Sequence, residues 1–129
     1  WFTTMKILLL DDEEAILECM EDALQQAGHE VYSFSSPLEA ILQFSEDVYD
    51  LVISDLKMPG MSGQDVIRVL RDLRPDVPII LISGHAMYSD LELKSLEIDA
   101  FLEKPFRAQH LIDTVQVLAL RHELFRKEA

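Results

Sequence analysis

The chain has 129 residues, a mass of 14.8 kDa and a formal charge of −13. This length suits one domain with a proper core, and a hydrophobic fraction of 49% is that of an ordinary globular protein. The negative charge argues against nucleic acid or an anionic membrane as a direct partner. No apolar run approaches the roughly 18 residues that a transmembrane helix needs, so we expect no membrane-spanning segment.

The sequence contains one cysteine, Cys19. A single thiol rules out an internal disulfide and is compatible with the reducing cytoplasm, which we take as the expected location. Cys19 falls within an amphipathic segment. We therefore expect it to be a small core residue of a helix.

Short apolar segments alternate with amphipathic segments along the chain. The apolar segments predict five β-strands, at residues 6–10, 30–34, 50–55, 77–83 and 99–103. The amphipathic segments predict five helices, at residues 13–27, 37–45, 62–73, 87–96 and from 107 almost to the end. Strands that alternate with helices call for a parallel sheet with helices on both faces. We therefore predict a doubly wound, five-stranded α/β domain.

We assign residues 5–120 to this domain. The four residues before Met5 do not fit the strand pattern, and we expect them to be an extension, either natural or added by cloning. The last predicted helix runs well beyond the roughly 11–12 residues of an average helix. Its final part, residues 121–129, is charged and has one aromatic residue. We expect this part to lead towards an output domain or to support a homodimer.

Chemically reactive side chains stand where the predicted strands end. Asp11 and Asp12 follow the first strand, Asp55 ends the third, Ser83 ends the fourth and Lys104 follows the fifth. Because parallel strands end at the same edge of a sheet, we expect these side chains to lie close together. Two like charges about 4 Å apart repel by roughly 4 kcal/mol at an effective dielectric constant of about 20. Such carboxylates must face water or surround a cation.

The convergent oxygen donors favour a hard divalent ion, Mg²⁺ or in its place Mn²⁺. An aspartate can also act as a covalent nucleophile for a phosphoryl group, whose transfer needs in-line positioning and neutralisation of charge. Mg²⁺ and Lys104 would supply that neutralisation, and Ser83 would supply a hydrogen bond. Asp55 is the best candidate for the nucleophile because it ends a predicted central strand. The other interpretation is a solvated acidic loop, in which Glu13 and Glu14 stabilise the first turn of a helix.

Four segments resemble the landmarks of receiver domains of two-component response regulators, most of all the nitrogen-regulator and fixation-regulator kind. In chain order they are LLLDDE, ISDLKMPGMSG, ILISGH and FLEKPF. The resemblance covers Met5 to about Leu120. It implies a flavodoxin-like fold with strand order 2-1-3-4-5, and a phosphoprotein that a sensor histidine kinase phosphorylates in a phosphorelay. It also implies that the chain is not an enzyme, apart from its own Mg²⁺-dependent phosphorylation and slow autodephosphorylation.

The resemblance also assigns roles to individual residues. Asp55 would be the phosphoacceptor. Asp12 and Asp55 would bind Mg²⁺ through their carboxylates, Asp11 would assist through water, and the backbone carbonyl of Lys57 would complete the protein ligands. Lys104 would hold the phosphoryl group, and its peptide bond to the following proline would be cis.

Signal output is expected to involve Ser83 and Phe101. In the resembled family, the residue at the position of Ser83 moves towards the phosphoryl group, the aromatic residue at the position of Phe101 turns inward, and the surface of residues 84–125 rearranges. Phe101 is otherwise an ordinary packed strand residue. Lys57 and His85 flank the site, and we expect them to tune how fast the acyl phosphate hydrolyses.

Two other functional classes compete with a phosphorylated switch. A phosphatase of the haloacid-dehalogenase type carries a second Asp two residues after its nucleophile, and this chain has Lys57 there. A receiver-like protein-binding module that is not phosphorylated is the remaining alternative. The complete set of reactive residues argues against such a module, because a degenerate site is expected to lose some of them.

Overall fold

A computed structural model describes residues 3–55, 58, 60–84 and 95–128, with side chains as far as residue 124. The strands are β1 (Lys6–Leu10), β2 (Glu30–Phe34), β3 (Leu51–Asp55), β4 (Ile79–Ser83) and β5 (Ala100–Glu103). They form one parallel sheet with the order β2-β1-β3-β4-β5. The predicted doubly wound sheet and its strand order are therefore confirmed.

Within the described ranges the chain forms four helices. They are α1 (Glu14–Gln26), α2 (Pro37–Glu46), α3 (Gly63–Leu73) and α4 (Ala108–Glu128). The fourth predicted helix, at residues 87–96, falls almost entirely outside the described residues. Proline opens α2 because its fixed φ suits the first helical position. Ser62 caps α3, since its side-chain oxygen accepts a hydrogen bond from the amide of Asp65 at 3.2 Å.

The sheet separates two hydrophobic cores. Ile7 and Leu9 of β1 face the core that α1 and α4 cover, while Leu8 and Leu10 face the core that α2 and α3 cover. Every residue of β3 and β4 is buried. A strand covered on both faces needs an unbroken apolar run, which is why the sequence shows no polar alternation there.

Three strands start one or two residues later than predicted: β3, β4 and β5 begin at residues 51, 79 and 100. Pro78, just before β4, has no amide hydrogen and cannot donate to a neighbouring strand. The Asp50 carboxylate accepts a hydrogen bond from the amide of Lys6 at 2.8 Å, and the Asp99 carboxylate accepts one from the amide of Ile79 at 2.8 Å.

Cys19 lies in a helix as predicted, but the expectation that it belongs to the core is wrong. The side chains of α1 that are buried against the sheet are Leu17, Met20 and Leu24. Successive residues of a helix are about 100° apart. Cys19 is therefore turned away from the buried stripe and is exposed.

The last helix is as long as the apolar spacing predicts, with 21 residues. One face is buried against the sheet and α1 through Leu111, Val115, Leu118 and Ala119. Val117 and Leu124 are 56% and 62% exposed on the same helix. None of the helices in the described part of the chain combines the length and the apolar character needed to cross a membrane.

His29 joins the turn after α1 to the start of β1. Its Nδ1 atom accepts a hydrogen bond from the amide of Met5 at 3.1 Å, and the side chain is buried. Burial lowers the pKa of His29 below its ordinary value. Only the neutral ring can accept this hydrogen bond at Nδ1, so both contact and burial favour the unprotonated form.

We predict that this histidine makes the fold sensitive to acid. In the unfolded chain His29 takes up a proton near pH 6.5, and in the folded chain it does so only at lower pH. The contribution of His29 to the free energy of unfolding is therefore complete above about pH 6.5 and falls as the pH decreases towards the folded pKa. Urea unfolding at pH 7.5 and 5.5 measures the loss. His29→Gln should lose less stability between these two pH values than the wild type. The exposed-histidine control, His110→Gln, should behave like the wild type, and equal losses in all three proteins would contradict the assignment.

Candidate functional site

Four carboxylates meet at the carboxyl edge of the sheet. Asp11 follows β1 and Asp55 ends the adjacent strand β3, and these two are 0% and 4% exposed. Asp12 and Glu13, at the start of α1, are exposed. Carboxylate oxygens of all four residues lie within 4.8 Å of one another. The parallel sheet therefore brings together Asp11, Asp12 and Asp55, as the sequence predicts, and Glu13 joins them.

The ammonium of Lys104 lies among these carboxylates. Its Nζ atom is 3.0 Å from Asp11 Oδ2, 3.1 Å from Asp55 Oδ2 and 3.7 Å from Glu13 Oε1. Burial by itself would lower the pKa of Lys104, but the hydrogen bonds to Asp11 and Asp55 outweigh burial and raise it. The side chain is thus a fixed cation between two buried anions.

The backbone around Lys104 fixes its position. The main-chain amide of Lys104 donates to the carbonyl of Ser83 at 2.7 Å, which extends the pairing of β5 with β4. The bond between Lys104 and Pro105 is cis, as the resemblance implies. The side chain therefore leaves the end of β5 towards β1 and β3.

Asp11 is held from both of its oxygens. Oδ1 accepts a hydrogen bond from the amide of Glu13 at 2.9 Å, and Oδ2 accepts one from Lys104. Burial is the largest effect on the pKa of Asp11 and raises it, and the nearby charge of Asp55 raises it further. The hydrogen bonds from the Glu13 amide and from Lys104 lower it, but the net direction is upward. Asp11 is consequently a carboxylate whose charge depends on nearby cations.

This donor set fits a divalent ion such as Mg²⁺. Mg²⁺ takes oxygen ligands, keeps several waters and is commonly held by one or two carboxylates. The exposed carboxylates of Asp12 and Glu13 give an ion access from solvent, and the buried ones of Asp11 and Asp55 give it a fixed anionic base. Glu13 is the member of the cluster that the sequence interpretation missed, because it was read only as a first-turn residue. Its place in the run DDEE, directly after Asp11 and Asp12, is the sequence feature that indicates its membership of the cluster.

The other predicted site residues are placed as follows. Ser83 is buried at the end of β4, next to Ile82, which pairs with Asp55. Phe101 lies in β5 opposite Leu81 and is only partly buried against the core beneath α2 and α3. Lys57 and His85 lie outside the described residues.

Comparison with known proteins shows the family of this chain. The family model for the response regulator receiver domain matches residues 7–116. The chain belongs to this family. Receiver domains are phosphorylation-dependent switches of two-component response regulators rather than classical enzymes; they generally bind Mg²⁺ at an acidic pocket and act with sensor kinases.

Two curated relatives are regulatory proteins. The C4-dicarboxylate transport transcriptional regulatory protein DctD of Rhizobium meliloti (strain 1021) is 36% identical over 112 residues, which cover 85% of this chain and 24% of that protein. The response regulator protein FleR of Pseudomonas aeruginosa is 33% identical over 121 residues, which cover 92% of this chain and 24% of that protein. The chain thus spans about a quarter of the length of these relatives.

Solved structures show the same fold. A receiver domain protein from Clostridium thermocellum has a TM-score of 0.83 and 33% identity, covering 93% of this chain and 98% of that one. NtrX from Brucella abortus has a TM-score of 0.89 and 25% identity, covering 97% of this chain and 29% of that one. These matches are consistent with a receiver of the nitrogen-regulator kind.

We predict that Lys104 and Mg²⁺ compete for the same carboxylates. Without the Lys104 ammonium, an arriving ion no longer has to share the carboxylates with another cation. In Lys104→Met the dissociation constant for Mg²⁺ should therefore fall at least about threefold. This change is smaller than the roughly 4 kcal/mol of one close charge pair. Isothermal titration calorimetry measures this constant.

Lys6→Met is the matched control. Lys6 pairs with Asp47 at 2.5 Å and begins β1, at the opposite edge of the sheet, so its removal subtracts the same charge without touching the acidic cluster. Its affinity for Mg²⁺ should stay near that of the wild type. An unchanged affinity in Lys104→Met would show that the ammonium does not oppose metal binding.

Proposed function

We propose that Asp55 accepts a phosphoryl group from the phosphohistidine of a sensor kinase, or from a small phosphodonor, in a reaction that needs Mg²⁺. The observation that supports this most is the contact of Lys104 Nζ with both Asp55 and Asp11. An Asp55 carboxylate oxygen attacks phosphorus, the bond from phosphorus to the imidazole nitrogen breaks, and the imidazole, which already carries a proton on its other ring nitrogen, leaves as the neutral ring. With acetyl phosphate as the donor, the bond from phosphorus to the acetyl oxygen breaks and acetate leaves. The product is an acyl phosphate.

The residues of the cluster have different roles in this transfer. Lys104 orients the Asp55 carboxylate beforehand and then holds the transferred phosphoryl oxygens, because its ammonium already lies within hydrogen-bonding distance. Asp12 and Asp55 would hold Mg²⁺ through their carboxylates, Asp11 would assist through water, and the backbone carbonyl of Lys57 would complete the protein ligands. When bound, the ion neutralises charge on the phosphoryl group. The chain acts once on itself and turns over no other substrate.

The phosphoryl group would stay on Asp55, and its arrival would be relayed through Ser83 and Phe101 as a rearrangement of the surface of residues 84–125. Ser83 is tied to the site because its carbonyl accepts the amide of Lys104. Phe101 is only partly buried, so its side chain has room to change position. We further propose that Lys57 and His85 set the rate of hydrolysis by admitting or blocking the attacking water.

The end of α4 supports a proposal about what lies beyond the switch. The helix continues to Glu128, past the domain boundary that we place at residue 120, and exposes Val117 and Leu124. We propose that this part connects the receiver to an output domain or pairs with a second copy after phosphorylation. The exposed thiol of Cys19 suits a reducing compartment, and we place the switch in the cytoplasm.

Intact mass spectrometry after incubation with acetyl phosphate and Mg²⁺ tests the proposal. The wild type should gain one phosphoryl group. Asp55→Asn, which keeps the size of the side chain but removes the nucleophile, should gain none, and chelation of the metal should prevent the gain. No gain in the wild type, under conditions that label a control receiver, would favour the unphosphorylated binding module.

A sensor kinase must dock beside Asp55 to deliver its phosphohistidine. An apolar cavity of about 560 Å³ lies between α1 and the start of α4, with Ile16, Cys19 and Phe106 in its lining and Lys104 at one side. Acidic side chains of α1, among them Glu14 and Glu18, are exposed nearby. We propose that a helix of the kinase with an apolar face and basic flanks binds here.

We predict that filling this cavity slows phosphoryl transfer from the kinase but leaves labelling by acetyl phosphate almost unchanged. Alkylation of Cys19 with a bulky maleimide should slow transfer from a phosphorylated kinase domain at least tenfold, because the helix is excluded, and should change labelling by acetyl phosphate less than twofold. The control is the double variant Cys19→Ser, Ser45→Cys, whose label sits on the exposed side of α2. Equal transfer rates for both labelled proteins would place the docking surface elsewhere.

A further inference from the structure

The negative charge of this chain is concentrated in one part of the sequence. Between Lys6 and Lys57 there is no lysine or arginine, but 13 of the 24 acidic residues lie there. The rest of the chain has equal numbers of acidic and basic side chains, so residues 7–56 hold the whole net charge of −13. This part folds into β1, α1, β2, α2 and β3. The half of the molecule around β2 and β1 is therefore strongly acidic.

Helix α2, in this acidic half, has two leucines that are not used in the core. Its buried side chains are Pro37, Ala40 and Phe44. Leu38 and Leu42 lie one turn apart on one flank of the helix and are 73% and 56% exposed. Single apolar residues scattered over a surface are normal, but two neighbouring ones form a continuous apolar ridge. This ridge remains uncovered in the described structure.

Acidic side chains lie beside the ridge. Glu39 and Glu46 are exposed on the side of α2 opposite the buried stripe, and within the described part of the chain neither has a basic partner within 4.0 Å. Two basic side chains that reach the end of α2 are engaged elsewhere. Lys6 pairs with Asp47 at 2.5 Å, and Arg74 donates to the carbonyl of Asp47. The surface of α2 thus combines apolar contact area with uncompensated negative charge.

This charge decides what can cover the ridge. Nucleic acid and anionic membranes are repelled by an acidic surface. A second copy of the chain, related by a twofold axis, would bring Glu39 and Glu46 against the same residues of its partner, and like charges repel. The rest of a second copy has no excess of positive charge to offer instead. A partner with basic side chains beside an apolar stripe gains from both features.

We propose that Leu38, Glu39, Leu42 and Glu46, the α2 surface, dock a helix of a partner protein whose apolar stripe is flanked by lysine or arginine. The two leucines are about 6 Å apart along the helix axis, so apolar side chains of a second helix, spaced by four residues, can pack beside them. The two glutamates would pair with its basic side chains.

The α2 surface is separate from the other surfaces of this receiver. α2 covers the core on one face of the sheet, and α1, which lines the proposed kinase-docking cavity, covers the core on the other face. The α2 surface also lies outside residues 84–125, so the proposal does not depend on phosphorylation. It gives the receiver a binding site that is available in both signalling states.

Titration of the isotope-labelled chain with a basic amphipathic peptide, followed by NMR, tests this surface. The probe is about 18 residues long, enough to form a helix, with leucine at every third or fourth position and lysine or alanine elsewhere. We expect saturable shifts at Leu38 and Leu42 with a dissociation constant below about 1 mM. A peptide of the same composition in scrambled order, which lacks the apolar stripe, should bind at least fivefold more weakly. Equal binding of the two peptides, or shifts confined to another surface, would overturn the proposal.

A double variant of the leucines tests the ridge. Leu38→Ser with Leu42→Ser should weaken binding of the peptide at least tenfold, because two apolar side chains are no longer buried. Leu124→Ser, which changes a leucine of similar exposure on α4, is the matched control and should bind as the wild type does. Unchanged affinity in the double variant would overturn the proposal. So would sedimentation that shows a dimer of the wild type and a monomer of the double variant, since a second copy would then cover the ridge.

A double variant of the glutamates tests the charge. Glu39→Gln with Glu46→Gln should weaken binding at least threefold and should make it less sensitive to salt. Glu14→Gln with Glu18→Gln removes the same charge from exposed positions of α1 and should change the affinity less than twofold. A weaker affinity in the α1 variant than in the α2 variant would show that the peptide binds at α1, and would overturn the proposal.

Discussion

The site depends on one ammonium group held between two buried carboxylates. Without a cation, Asp11 and Asp55 would face each other at the edge of an apolar core, where the charges of unpaired ions are poorly solvated. Lys104 satisfies both, and removal of one partner from a buried pair typically costs about 3–5 kcal/mol. The same contact that stabilises the resting fold therefore positions the carboxylate that we propose as the nucleophile. In that proposal, the metal and the phosphoryl group would enter a site whose charges are already arranged.

The parallel sheet makes this arrangement possible, and it also gives the molecule two electrically different ends. The carboxyl ends of β1, β3 and β5 supply the acidic cluster and its lysine. At the other edge, acidic side chains such as Asp50 and Asp99 bind the first amides of neighbouring strands, and a cavity there is lined by acidic and basic side chains together. α4 starts just after Lys104 and Pro105 and reaches this second edge. It thus contacts both ends of the sheet.

Much of this was predictable from the sequence, for a physical reason. The ends of parallel strands share one edge, so strand assignments alone brought Asp11, Asp55 and Lys104 together. The features that the sequence does not predict depend on backbone angles and on side-chain contacts, which the spacing of apolar residues does not encode. Glu13 joins the acidic cluster because its own backbone, just before α1, is extended, with φ −90° and ψ 102°. The spacing of apolar residues does not reveal this conformation. Cys19 is exposed because it stands one residue from the buried stripe of its helix. The guanidinium of Arg74 packs on Phe44, 30 residues earlier in the chain, and no local signal in the sequence indicates this contact.

The central claim is that Lys104 holds Asp55 in the resting state and transfers its contact to the phosphoryl group. A crystal structure with Mg²⁺ and beryllofluoride, a stable mimic of the acyl phosphate, tests it most directly. We predict beryllium bonded to an Asp55 carboxylate oxygen, the ion among the carboxylates of the acidic cluster, and Lys104 Nζ on a fluorine atom. Beryllofluoride on another residue, or a Lys104 that still bridges Asp11 and Asp55 with no contact to the adduct, would contradict the account.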